Sequence, residues 1–77
     1  MFDIVVLSGG FDPIHIGHTR MIIAASKLGP AVVVGVNSDE WLKRKKEYAF
    51  MSWSERAEMV ESIKGVTKAM SFDDSDN

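Results

Sequence analysis

Two histidines three residues apart, His15 and His18, follow a Gly9-Gly10 pair and a proline at position 13. These residue types, so spaced, suit phosphate chemistry. A double glycine at the end of a strand lets backbone N–H groups approach an anion closely, and the helix that follows adds its own unpaired N–H groups and the positive end of its dipole. Within a helical first turn the two imidazoles fall on one face and can reach the same phosphate group. Gly17 between them leaves space for a ligand, and Pro13 suits the position just before or at the helix start, where its missing N–H costs nothing. The same pair could instead begin a metal site, although the chain has no cysteine and no nearby carboxylate completes a ligand set.

The elements around the pair must deliver it to the end of a strand. Ile4-Val5-Val6-Leu7 is a short apolar run closed by Ser8-Gly9-Gly10, which predicts a strand buried on both faces and leading into a tight turn. From about Ile16 the apolar residues recur at helical spacing through Met21, Ile22, Ala25 and Leu28, and Gly29-Pro30 supplies a stop. Ala31 to Val36 is apolar without alternation, as expected of a parallel strand. Asn37-Ser38-Asp39 offers capping side chains for a short helix over Glu40 to Arg44, and Tyr48 to Met51 reads as an irregular connection. Ser52 and Glu55 have capping-box spacing, Ala57, Val60 and Ile63 form the buried stripe of the next helix, and Gly65 can end it. Val66 to Phe72 predicts a third strand, and the polar run Asp73 to Asn77 adds no closing element. The order β-α-β-α-β is half of a doubly wound α/β fold, in one domain over residues 1–77. A parallel sheet needs helices on both faces, and this chain has too few to cover them.

Hydrophobic residues make up 45% and charged residues 26% of the chain, the composition of an ordinary globular protein. Nine Lys and Arg against eleven Asp and Glu give a formal charge of −2, so no overall field draws in nucleic acid or an acidic membrane, and any anion must be held locally. None of the apolar runs approaches the roughly 20 residues of a membrane helix. The lack of cysteine suits a reducing cytosol, so a cytoplasmic location is expected. The basic cluster Lys43-Arg44-Lys45-Lys46 reads either as a solvated turn or as a phosphate-facing segment, and Asp39 either as a helix cap or as a site residue. Trp41 and Trp53 read as packing residues rather than base-stacking platforms, although nothing in their spacing distinguishes the two roles.

Gly10-Phe11-Asp12-Pro13-Ile14-His15-Ile16-Gly17-His18, placed after the first strand, closely resembles the signature loop of the cytidylyltransferase-like nucleotidyltransferases. The resemblance continues through Asn37 to Trp41, the lysine-rich stretch ending at Tyr48, and Ser54-Glu55-Arg56. It is strongest toward the glycerol-3-phosphate cytidylyltransferase branch and covers the amino-terminal part of the family's domain. It implies a Rossmann-like doubly wound sheet, present here in part. It also implies transfer of a nucleotidyl group, with cytidylyl favoured, from a nucleoside triphosphate to a phosphorylated small molecule with release of pyrophosphate. His15 and His18 would stabilise charge on the attacked phosphorus, and Lys43 and Lys45 would neutralise phosphates. Gly9, Gly10, Phe11, Asp12, Asp39 and Arg56 would line the nucleotide site. The acceptor's own phosphate oxygen attacks, so the protein supplies positioned positive charge and no nucleophile. Magnesium would accompany CTP or ATP, held mainly by triphosphate oxygens. A homodimer is one mode of assembly the resemblance suggests.

Other readings come from the same residues. Pro13 is commoner in the adenylyltransferase branch, which favours ATP. Lys64 and Thr67 depart from the pattern of close relatives, and the family's second Ser/Thr-rich signature has no counterpart within these residues. His15-Ile16-Gly17-His18 is also the literal signature of class I aminoacyl-tRNA synthetases, but the charge balance does not suit tRNA. A truncated, non-catalytic nucleotide-binding module is the remaining alternative.

Overall fold

The computed structural model describes residues 3–73; the rest of the polar run, residues 74–77, lies outside the described residues. Six elements follow in the order β1 (Ile4–Gly9), α1 (Ile16–Ser26), β2 (Ala31–Val36), α2 (Asp39–Lys46), α3 (Trp53–Glu61) and β3 (Lys68–Ser71). The strands form one sheet in the order β1-β2-β3, parallel throughout, with Val5 opposite Val32 and Val34 opposite Ala69.

Both crossovers step the same way across the sheet. Right-handed crossovers of that kind place their helices on one face, and the burial pattern agrees. Val32, Val34, Val36 and Ala69 are buried, with Val5 and Leu7 packed against them. Ile22 and Ala25 of α1 and Ala57 and Val60 of α3 complete this core. On the opposite face Ile4 is 57% exposed and Val6 69%, and Met70 and Phe72 are exposed beside them. The expectation that the first strand is buried on both faces is therefore corrected. Its composition suits a doubly covered strand, but among the described residues the cover exists on one side only.

Local chemistry sets the helix ends. Ser38 caps α2 by accepting from the Trp41 amide, Asp39 and Glu40 sit in its first turn, and four basic residues fill its last. That arrangement complements the helix dipole at both ends and carries the helix past the expected Arg44 to Lys46, where Glu47 turns out of it in a left-handed conformation. In α3, Ser52 and Glu55 form the anticipated capping box. Helix α1 ends at Ser26, two residues short of Leu28, with Lys27 donating to Ala24 and Ala25. The third strand is shorter than the run Val66 to Phe72 suggests. The Thr67 hydroxyl accepts from the Val32 amide, and Asp73 accepts from both the amide and the hydroxyl of Ser38, tying the end of the sheet to the cap of α2. Among the described residues no helix is long and apolar enough to cross a membrane.

Ile22 is fully buried between α1 and the sheet, so Ile22→Ala should destabilise the fold by about 2–5 kcal/mol. Met59→Ala, at an exposed position of α3, should change stability by less than about 0.5 kcal/mol. Urea unfolding of the two variants checks the contrast.

Candidate functional site

Between β1 and α1 the chain must turn sharply while keeping its amides available. Phe11 does this with φ of 52°, a left-handed conformation costly to a residue with a side chain, and a cis bond joins Asp12 to Pro13. What holds Phe11 there is burial: its ring is 2% exposed and lies over Gly9, where an added Cβ would stand 3.3 Å from the ring. The edge of the same ring meets His18, with centroids 4.9 Å apart.

His15 is the N-cap of α1 and His18 is its third residue. The Nδ1 atom of His15 accepts from the Gly17 amide at 3.0 Å, and Nδ1 of His18 accepts from the His15 amide at 3.1 Å. The rings stack with centroids 4.0 Å apart and planes 27° from parallel. The two imidazoles therefore do share one face, as their spacing predicts. His15 is exposed and His18 half-buried. Burial, and secondarily the neighbouring His15, hold the His18 imidazole below its ordinary pKa. Gly17 also serves the fold: a Cβ there would stand 2.8 Å from Cε1 of His15, so the glycine makes room for that ring to fold back onto the helix.

Asp12 faces inward. Its carboxylate accepts from the amides of Phe50 and Met51, at 2.6 and 2.7 Å, and pairs with the ammonium of Lys46 at 3.0 Å. The same ammonium donates to the Asp12 carbonyl. Burial pushes the Asp12 pKa up, but the two amides and Lys46 together outweigh it and leave the carboxyl below its ordinary value. Asp12 thus brackets the 47–51 connection to the turn. Lys46, not singled out by the sequence reading, is the basic-cluster residue that joins this network. Lys43 and Lys45 stay exposed on α2, with the Lys45 ammonium 5.5 Å from the centre of the Trp41 ring.

Arg56 and Asp39 come together beneath the loop. Arg56 is fully buried and pairs with Asp39. Its guanidinium also donates to the carbonyls of Met51 at 3.0 Å, Gly10 at 2.8 Å and Asn37 at 2.6 Å. The expectation that Arg56 presents positive charge to the nucleotide is corrected by these bonds: its charge is engaged inside the chain, where it fixes the turn. Ser38, not Asp39, caps α2. Asn37, also missed from sequence, is buried; its main-chain carbonyl accepts from Arg56 and its side-chain amide donates to the Phe72 carbonyl. Trp53 packs under the site and donates to the Val36 carbonyl.

A description of the cytidylyltransferase-like family matches residues 6–76. The chain belongs to that family. Among curated relatives it is 32% identical to a glycerol-3-phosphate cytidylyltransferase of Bacillus subtilis over 66 residues, covering 86% of this chain and 51% of that protein. It is 36% identical to a phosphopantetheine adenylyltransferase of Methanopyrus kandleri, covering 77% of this chain and 38% of the other. A solved structure, the lipopolysaccharide core biosynthesis protein from Thermoplasma volcanium, superposes with a TM-score of 0.85 at 26% identity over 96% of this chain and 61% of its own. The Rossmann-like α/β fold is shared. The chain spans about half or less of these curated relatives.

The Asp12 bracket gives this cytidylyltransferase-like domain an acid-sensitive element. A carboxyl whose pKa is lowered by folding contributes stability that is present above the unfolded value and lost as pH falls through the folded value. Hydrogen exchange should therefore show the Phe50 and Met51 amides protected at neutral pH and released as pH drops below the ordinary carboxylate range. Asp12→Asn should leave both amides exchanging faster than in the parent already at neutral pH.

Proposed function

We propose that this chain is the phosphate-binding half of a nucleotidyltransferase. The whole protein transfers a nucleotidyl group, cytidylyl in the favoured reading, from a nucleoside triphosphate to a phosphorylated small molecule and releases pyrophosphate. The observation that carries this reading is the stacked pair His15 and His18 at the start of α1, set directly after the Gly9-Gly10 turn. Imidazole rings gathered at the positive end of a helix favour an anion whose charge grows during transfer. Lys43 and Lys45, exposed on α2, are assigned to the phosphates of the two substrates. Gly9, Gly10 and Phe11 form the turn against the nucleotide, while Asp12, Asp39 and Arg56 hold its shape.

Magnesium belongs to this reading as part of the triphosphate substrate. Among the described residues no group of three or more His, Asp or Glu side chains could hold a metal ion. The carboxylates of Asp12 and Asp39 are engaged by Lys46 and Arg56. The similarity to an adenylyltransferase, at 36% identity, supports ATP as the alternative nucleotide, and a non-catalytic nucleotide-binding module is the reading that remains if no transfer occurs. The reading extends to a cytoplasmic setting without a nucleic-acid partner, which the cysteine-free, weakly acidic composition supports, and the histidine motif is assigned to the triphosphate.

Pyrophosphate release by the full gene product tests the reaction. CTP with a phosphorylated polyol should support release and CTP alone should not; release with ATP in its place moves the assignment to the adenylyl branch. His18→Ala should lower turnover by about 100- to 1000-fold, and retention of full activity would remove His18 from the reaction.

The exposed face of Ile4, Val6, Met70 and Phe72 supports pairing of two copies, because contiguous apolar surface of this kind marks an interaction site. Sedimentation equilibrium should show a mass that rises toward the dimer with concentration, and Val6→Glu should abolish the rise. A constant monomer mass rejects the dimer.

A further inference from the structure

Among the described residues β3 ends the sheet on one side, and an edge strand presents unpaired N–H and C=O groups to which a strand of another chain can bond. The Ala69 amide is already taken. It donates to Oε2 of Glu61 at 3.0 Å, and since an amide has one N–H to give, that bond turns the Ala69 amide away from β2. The end of the ladder agrees: Phe72 donates to the Val36 carbonyl, and alternate residues along a strand direct their amides to opposite sides, which puts Met70 with Phe72 and Ala69 outward.

Two features show that Glu61 does not sit there for the sake of its helix. It is the last residue of α3, where a carboxylate faces the negative end of the dipole, and no basic residue in the last turn offsets it. Its carboxylate instead meets the amide of a residue only 7% exposed, which could not be left unpaired without cost. The strand it serves is also short, at four residues, and carries the exposed Lys68. Shortness and lysine are two further ways of blunting an edge. By contrast β1 has six residues, Ile4 to Gly9, with no charge and no proline among them.

We propose that Glu61 guards the β3 edge: its carboxylate occupies the outward amide on which a strand from a second copy of this chain would dock, so that the sheet can be extended only from β1. Without the carboxylate the Ala69 amide lacks an acceptor, and the β3 carbonyls of another copy supply one. Two such edges related by a two-fold axis pair antiparallel, each amide facing a carbonyl of the other. The inference is independent of the nucleotide chemistry, because no residue of the histidine turn takes part.

Amide exchange and sedimentation test it, both in a Val6→Glu background that silences association through the outer face of the sheet. In the dilute parent the Ala69 amide should be protected; exchange at the rate of an open amide overturns the guard before any further variant is made. Glu61→Ala should speed Ala69 exchange about 10-fold in dilute solution and raise the self-association constant about 10-fold. Glu61→Gln, whose side-chain carbonyl can still accept, should keep both at the parent values. On concentration, Ala69 in the Glu61→Ala chain should regain protection as it enters the new pairing. Unchanged Ala69 exchange in Glu61→Ala, loss of protection without a gain in association, equal association of the Ala and Gln variants, or association that leaves Ala69 open would each overturn the proposal.

Discussion

A guanidinium removed from water is tolerated only when its donors are satisfied, because the desolvation of the charge costs several kcal/mol. Arg56 meets that demand with three main-chain carbonyls and the carboxylate of Asp39. The carbonyls belong to Gly10 in the turn after β1, Asn37 at the end of β2, and Met51 just ahead of α3. One side chain therefore fixes three separate segments at the carboxyl end of the sheet. The turn is held from inside by its carbonyl at Gly10. Asp12 performs the complementary task with the opposite sign, gathering two amides and an ammonium. Between them, a buried cation collects acceptors and a buried anion collects donors, and the surface of the turn is left to the histidines.

The elements with strong local signals were legible from sequence. Ser52 and Glu55 announced the start of α3, and the valine run announced β2, because capping and β-branched patterning act over a few residues. The grouping of Gly9, Gly10, His15 and His18 was equally plain, since all lie within one turn of chain. The long-range partners were not. Nothing near Arg56 shows that its acceptors lie 46 and 19 residues away, and an arginine in a polar helix reads by default as a surface charge. The same holds for Lys46, indistinguishable in sequence from Lys43 and Lys45 until α2 places it 34 residues from its partner Asp12.

Residue type takes its meaning from a neighbour, and at Gly17 and on the outer face of β1 that neighbour is not readable from the local sequence. The neighbour of Gly17 is the ring of His15. The neighbour of Val6 on its outer side is not among the described residues, and an apolar residue states only a preference for cover, not its presence. Left-handed Phe11 belongs with these: no local rule puts a phenylalanine at positive φ, and only its contacts with Gly9 and His18 explain it.

Among the described residues strand β1 is paired along one side only, with β2. A further strand laid parallel along its other side would run in the same direction and finish level with Gly9 and Gly10, so the loop leaving it would rise beside the histidine pair. Covering that rim and walling one side of the candidate site would then be a single event of assembly, at the margin of the sheet that most invites unwanted pairing.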